Sequence, residues 1–138
     1  MAEIKLKKIA WLRRRFVKSE LLPDLLAWSD VTQDLKEAIQ STSAFQLLGE
    51  QAIVEIDSLT GLGHVLVEVV GVPKSEFPSI DFEAREVLVF DYPKSGFEVD
   101  FMTLMQEAKT IISGISRPVD TRYHIVFDGN HLALHFFI

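Results

Sequence analysis

The sequence predicts an α+β fold with N-terminal helices, a three-stranded antiparallel meander, one further helix and a C-terminal β-hairpin. The hairpin completes a mostly antiparallel sheet packed on the helices. Three observations carry this expectation. Apolar residues recur every three or four positions up to Leu48, the period shortens to two after Gly49, and one amphipathic stretch interrupts the strand-like second half. All of it reads as one domain over 1–138, with a helical part at 1–49 and a sheet part at 50–138.

From Glu3 to Ser19 neither Pro nor Gly occurs, and Ile9, Leu12 and Phe16 stand at helical spacing, so a basic amphipathic helix is expected there. Pro23 breaks it and suits the first turn of a short second helix to Trp28. Asp30 and Gln33 have capping-box spacing, and the stripe Val31, Leu35, Ala38, Ile39, Thr42, Phe45, Leu48 predicts a long helix that Gly49 ends. Alternation around Val54 gives a first strand. A turn at SLTGLG and the β-branched run HVLVEVVGV give a second, in which Glu68 is the lone charge. The two prolines of PKSEFPSI mark a surface connection, and AREVLVFDY reads as the third strand of the meander. Ser95 and Glu98 have capping-box spacing, and Phe101, Leu104, Met105, Ala108, Ile111 and Ile112 form one stripe, so a helix is expected at about 97–114. RYHIVFDGNHLALHFFI closes the sequence as a hairpin turning at Asp128-Gly129 or Gly129-Asn130.

Composition narrows the function classes. With 48% apolar and 25% charged residues, the 138-residue chain has the make-up of a globular domain. The absence of cysteine excludes disulfides and thiolate metal sites and fits a reducing, cytoplasmic setting. No apolar run approaches the length of a membrane span, and the N-terminal residues do not read as a secretory signal. No phosphate loop, nucleophile elbow or metalloprotease helix is present, and Gly61-Leu62-Gly63 lies between two strands, where no helix N-terminus could hold a phosphate. No cofactor is expected.

Charge is unevenly spread. Residues 1–18 hold seven basic side chains against Glu3 alone, whereas the whole chain carries −6. Lys7, Lys8, Arg13, Arg14 and Arg15 are therefore candidate binding residues for an acidic partner or nucleic acid, unless the chain's own acids satisfy them. The second signal lies in the hairpin. Alternation sends Tyr123, Ile125, Phe127, Leu132, Leu134 and Phe136 to one face, and Arg122, His124, Asp128, His131 and His135 to the other. His131 and His135 are too far apart along a strand for one metal ion, so a three-histidine zinc site is not expected. A Gly129-Asn130 turn would set His124 opposite His135 and Asp128 opposite His131. Imidazoles in such pairs exchange protons near neutral pH, which makes His124, His135, His64 and Glu68 candidate catalytic groups and Arg122 and His131 candidate binding groups. A plain solvated face or a subunit contact is the competing account.

The reading that ranks first is a small soluble binding or regulatory protein of the inhibitor, immunity or adaptor type. It would act by contact with a protein partner or with a second copy of itself. The second is an enzyme or small-molecule binder with a histidine-lined pocket on the sheet. The third is nucleic-acid binding through the basic N-terminal helix, which net negative charge disfavours.

Overall fold

The computed structural model describes residues 6–41, 45–49, 51–71, 77–92, 100–115, 118–128 and 131–138. Among them the dominant element is one antiparallel sheet with two helices on one of its faces. In chain order the elements are β1 (Leu6–Trp11), β2 (Arg14–Lys18), a 3-10 turn (Leu25–Ala27), α1 (Trp28–Gln40), β3 (Phe45–Leu47), β4 (Ala52–Asp57) and β5 (Gly63–Gly71). β6 (Ser79–Phe82), β7 (Arg85–Tyr92), α2 (Phe101–Gly114), β8 (Arg122–Asp128) and β9 (His131–Phe137) follow. The strands lie in the order β1-β7-β9-β8-β4-β5-β2-β6, with β3 alongside the far end of β5.

The N-terminal helices are the main correction. Residues expected to form a basic helix are two strands at opposite ends of the sheet, β1 beside β7 and β2 between β5 and β6. The helical spacing of Ile9, Leu12 and Phe16 misled because β2 is covered on both faces. Phe16 and Val17 are buried side by side, which erases the period of two, whereas Leu12 points to solvent. The Pro23–Trp28 segment holds only a 3-10 turn, and α1 ends at Gln40, so Phe45 lies in a strand rather than on a helical stripe. The meander is a second correction. β4 and β5 are neighbours, but β7 sits beyond the C-terminal hairpin, between β1 and β9, and the expected proline-rich connection contributes β6. α2 starts at Phe101 with Asp100 as its cap, accepting a hydrogen bond from the Met102 amide, while Ser95 and Glu98 lie outside the described residues.

Two apolar layers result. Ile39 of α1 and Phe101, Leu104, Ala108 and Ile111 of α2 cover the face that carries Val54, Val65, Ile125, Leu134 and Phe136, and Trp28 stacks on Phe127 at 4.0 Å between ring centroids. The opposite face is concave, and the sheet coils until its ends meet. Trp11 of edge strand β1 lies 5.9 Å from Phe82 of the other edge strand and 5.1 Å from Phe137 of β9. Trp11, Phe16, Ile53, Leu66, Val87, Val89, Val126 and Phe137 make a second core there. That core encloses His124, whereas His131 on the same face is exposed.

Candidate functional site

The hairpin register is His124 opposite His135 and Asp128 opposite His131, the pairing that a Gly129-Asn130 turn requires. β4 runs antiparallel to both β8 and β5, with Glu55 opposite His124 on one side and His64 on the other. Strand pairing alone therefore sets a carboxylate between two imidazoles on the concave face. His124 Nε2 is 2.7 Å from Glu55 Oε2, and His64 Nε2 is 3.2 Å from Oε1. Arg122 reaches over the same oxygen at 3.9 Å. A cavity of about 220 Å³ opens over the group, walled by Leu21, Asp57, Thr60 and Leu62.

Burial governs the charges. His124 is 0% exposed and Glu55 is 3% exposed. Burial alone would push the Glu55 carboxyl up, but the hydrogen bond from His124 and the closeness of the His64 imidazole outweigh it and hold the group at about 2. Burial pushes the His124 imidazole down against the pull of the same carboxylate, so the pair is a neutral imidazole donating from Nε2 to an ionised carboxylate. His124 Nδ1 is then an acceptor with no hydrogen-bond partner, sealed among Trp11, Phe82 and Phe137. His135 lies under the edge of Trp11, and burial, with the charge of Arg14 acting in the same direction, pushes it down to about 4.

Glu68 does not join His64, although the two share the concave face. Both its oxygens accept from Arg14, at 2.8 Å each, and the guanidinium lies 4.2 Å over the Trp11 ring and 4.9 Å over Phe16. Lys8, Arg13 and Arg15 are likewise engaged by the chain's own acids. Arg15 donates to Asp81 at 2.7 Å and to the Gly71 carbonyl, Lys8 lies 2.9 Å from Glu86, and Arg13 lies 4.0 Å from Glu83. Lys7 stands opposite Val89 in β1, and its side chain lies outside the described residues. His131 is exposed and lines a separate groove of about 590 Å³ with Asp128 and His135. Arg14→Ala is expected to cost about 2 kcal/mol in urea denaturation, because it strands the Glu68 carboxylate, whereas Arg14→Lys keeps the charge but loses the fork and the stack.

The structure thus gathers His64, His124 and Arg122 around Glu55, sets His135 across from His124, and keeps Glu68 and the basic strands elsewhere. Glu55 is the residue that sequence reasoning missed. In AIVEIDS it passes for the polar half of an alternating strand, and only its isolation among apolar neighbours in a strand buried on both faces could have marked it. Chemically, His124 is sealed from any substrate, whereas Glu55, His64 and Arg122 border one cavity and His131 and His135 border the other. Among the described residues no group of three His, Asp or Glu side chains is placed to hold a metal ion. No helix among them is long and apolar enough to cross a membrane.

No protein-family model matches the sequence, and no curated protein matches it. Among solved structures, a Staphylococcus aureus protein described as a candidate bacterial transcription regulation protein is similar at 14% identity over 98% of both chains, with a TM-score of 0.60. At that identity the likeness is one of fold alone.

Proposed function

We propose that this is a cytoplasmic binding and regulatory protein of the inhibitor, immunity or adaptor type. It makes contact with a protein partner through the end of the sheet where β4 turns into β5. The observation that carries the reading is a display of large aliphatic side chains on a rigid turn. Leu21, Leu59 and Leu62 are 58%, 79% and 49% exposed. Their backbone is held by a dense set of hydrogen bonds: Asp57 N to Leu62 O at 3.0 Å, Gly61 N to Asp57 O at 2.8 Å, Leu59 N to Asp57 Oδ1 at 2.9 Å and Leu22 N to Gly63 O at 2.8 Å.

Two glycines make this end possible. Gly61 has φ +72°, a left-handed conformation that a side chain would strain, and a Cβ on Gly63 would come within 3.0 Å of the Glu55 carbonyl and of Leu25. Leucines held on a preorganised turn lose little entropy on docking, and grouped exposed aliphatics mark contact surfaces.

Charge supports a basic partner. The chain carries −6, and Lys8 of β1 with Arg14 and Arg15 of β2 already face its own carboxylates. The same pairing weighs against nucleic acid, and like charge weighs against a second copy. To test the reading, immobilised wild-type protein and a Leu59→Glu/Leu62→Glu variant with an unchanged circular dichroism spectrum are offered the host lysate. A protein retained by the wild type and lost by the variant is the expected result. Equal retention by both removes this surface from consideration.

A further inference from the structure

We infer that the cavity over Glu55 is a socket for one basic side chain, lysine or arginine, inserted by that partner. The inference rests on the protein-contact reading and specifies its central contact. Glu55 Oε1 is buried and accepts no hydrogen bond. An ionised oxygen out of water without donors is costly, and the arrival of a donor recovers that cost.

The donors at hand fall short. His64 Nε2 stands 3.2 Å away but is itself without a hydrogen-bond partner, so the two atoms are misaligned. Arg122 is 3.9 Å away with its side chain 56% exposed, so it stands at the mouth and is too far from the oxygen to hydrogen-bond it. Asp57 adds a second carboxylate to the lining, which selects against an anion.

Size narrows the ligand further. Pockets for metabolites run to roughly 300–1,000 Å³. This cavity, at about 220 Å³, suits a single inserted side chain. Leu21 and Leu62 at its wall would take the methylene stem while the charged head meets Glu55, as long basic side chains do when they cross an apolar rim. Exposed leucines around one desolvated polar anchor are the usual layout of an energetic centre in a protein contact.

The probe is a pair of tripeptides, acetyl-Leu-Lys-Leu-amide and its uncharged counterpart acetyl-Leu-Gln-Leu-amide. Each is titrated into the full ¹⁵N-labelled chain and followed by two-dimensional amide NMR. Saturable shifts at Leu62, His64 and Arg122 are expected with the lysine peptide, at an affinity about tenfold or more above that of the glutamine peptide, the factor a charge-assisted hydrogen bond supplies. Glu55→Gln should remove that preference. Arg122→Gln, a substitution at an exposed side chain that the fold tolerates, should tighten the lysine peptide, because a competing cation leaves the mouth. Equal binding of the two peptides, no saturable shift with the lysine peptide, or weaker binding in Arg122→Gln would each overturn the socket. With the captured partner in hand, the two ideas separate. A partner lost by the leucine variant but held at full affinity by Glu55→Gln refutes the socket and keeps the protein contact. A partner indifferent to the leucines refutes the contact itself.

Discussion

Trp11→Ala is expected to destabilise the protein by about 3–5 kcal/mol, the cost of emptying a large aromatic from a packed interior. The reason goes beyond lost area. Trp11 is where the coiled sheet closes: it stands on edge strand β1, touches Phe16 of β2 and Phe82 of β6 at the other end, and carries the Arg14 guanidinium on its face. Removing it takes the support from the Arg14–Glu68 pair and the cover from His124 and His135, which lie 5.7 and 6.0 Å from its ring. Trp11→Phe should recover much of the stability, since its ring can still bridge Phe82 and Phe137. Denaturant unfolding measures the cost. The NMR-detected titration of His135 supplies an independent readout, because water admitted beside that ring should raise its pKa from about 4 toward the ordinary value. A loss below about 1 kcal/mol, within the range of surface substitutions, would show that the seam is not held by this side chain.

The parts of the fold that could be read from sequence were those with one covered face. In the C-terminal hairpin, alternation assigns the described residues from Tyr123 to Phe136 to the correct side, and of the two turns the sequence leaves open the Gly129-Asn130 choice gives the observed His124–His135 pairing, because helices cover one face and the pattern keeps its period of two. α2 was legible for the matching reason, a single apolar stripe. The N-terminal strands were not. β2 contributes to two cores at once, Val17 to one and Phe16 to the other, Arg14 pairs its charge with a residue 54 positions away, and Lys8 and Arg15 do the same with β7 and β6. Long-range pairing of this kind leaves no local periodicity, and strings of Lys, Arg and Leu favour a helix whenever nothing across the sheet is known. The site shows the same division. His64, His124 and Arg122 stood out by residue type, whereas their partner Glu55 acquires its meaning only when β4 is known to lie between β5 and β8.

Acid is expected to unfold this protein in two overlapping stages, both governed by the concave face. His135 has its pKa pushed down to about 4 in the folded state, against 6.5 when free, and His124 is lowered as well. Between those values the unfolded chain binds protons that the folded chain refuses, so stability is complete above pH 6.5 and falls as pH drops toward 4. The share of His135 is about 2–3 kcal/mol. Glu55, held at about 2 against an ordinary 4.5, acts in the next window: its contribution is present above pH 4.5 and is lost as pH falls toward 2. Urea midpoints measured at pH 7, 5.5 and 4 should therefore decline steadily. His135→Leu should flatten the upper part of the decline, since a leucine fits beside Val89 and Ala133 without a proton to gain. Glu55→Gln should lower stability at pH 7, where the neutral amide replaces the ionised acceptor of His124, and should flatten the decline below pH 4.5. A stability profile unchanged between pH 7 and 4, or one that rises on acidification, contradicts a neutral pair of desolvated imidazoles. His124 would then be an ordinary protonated partner of Glu55 in an open, hydrated face.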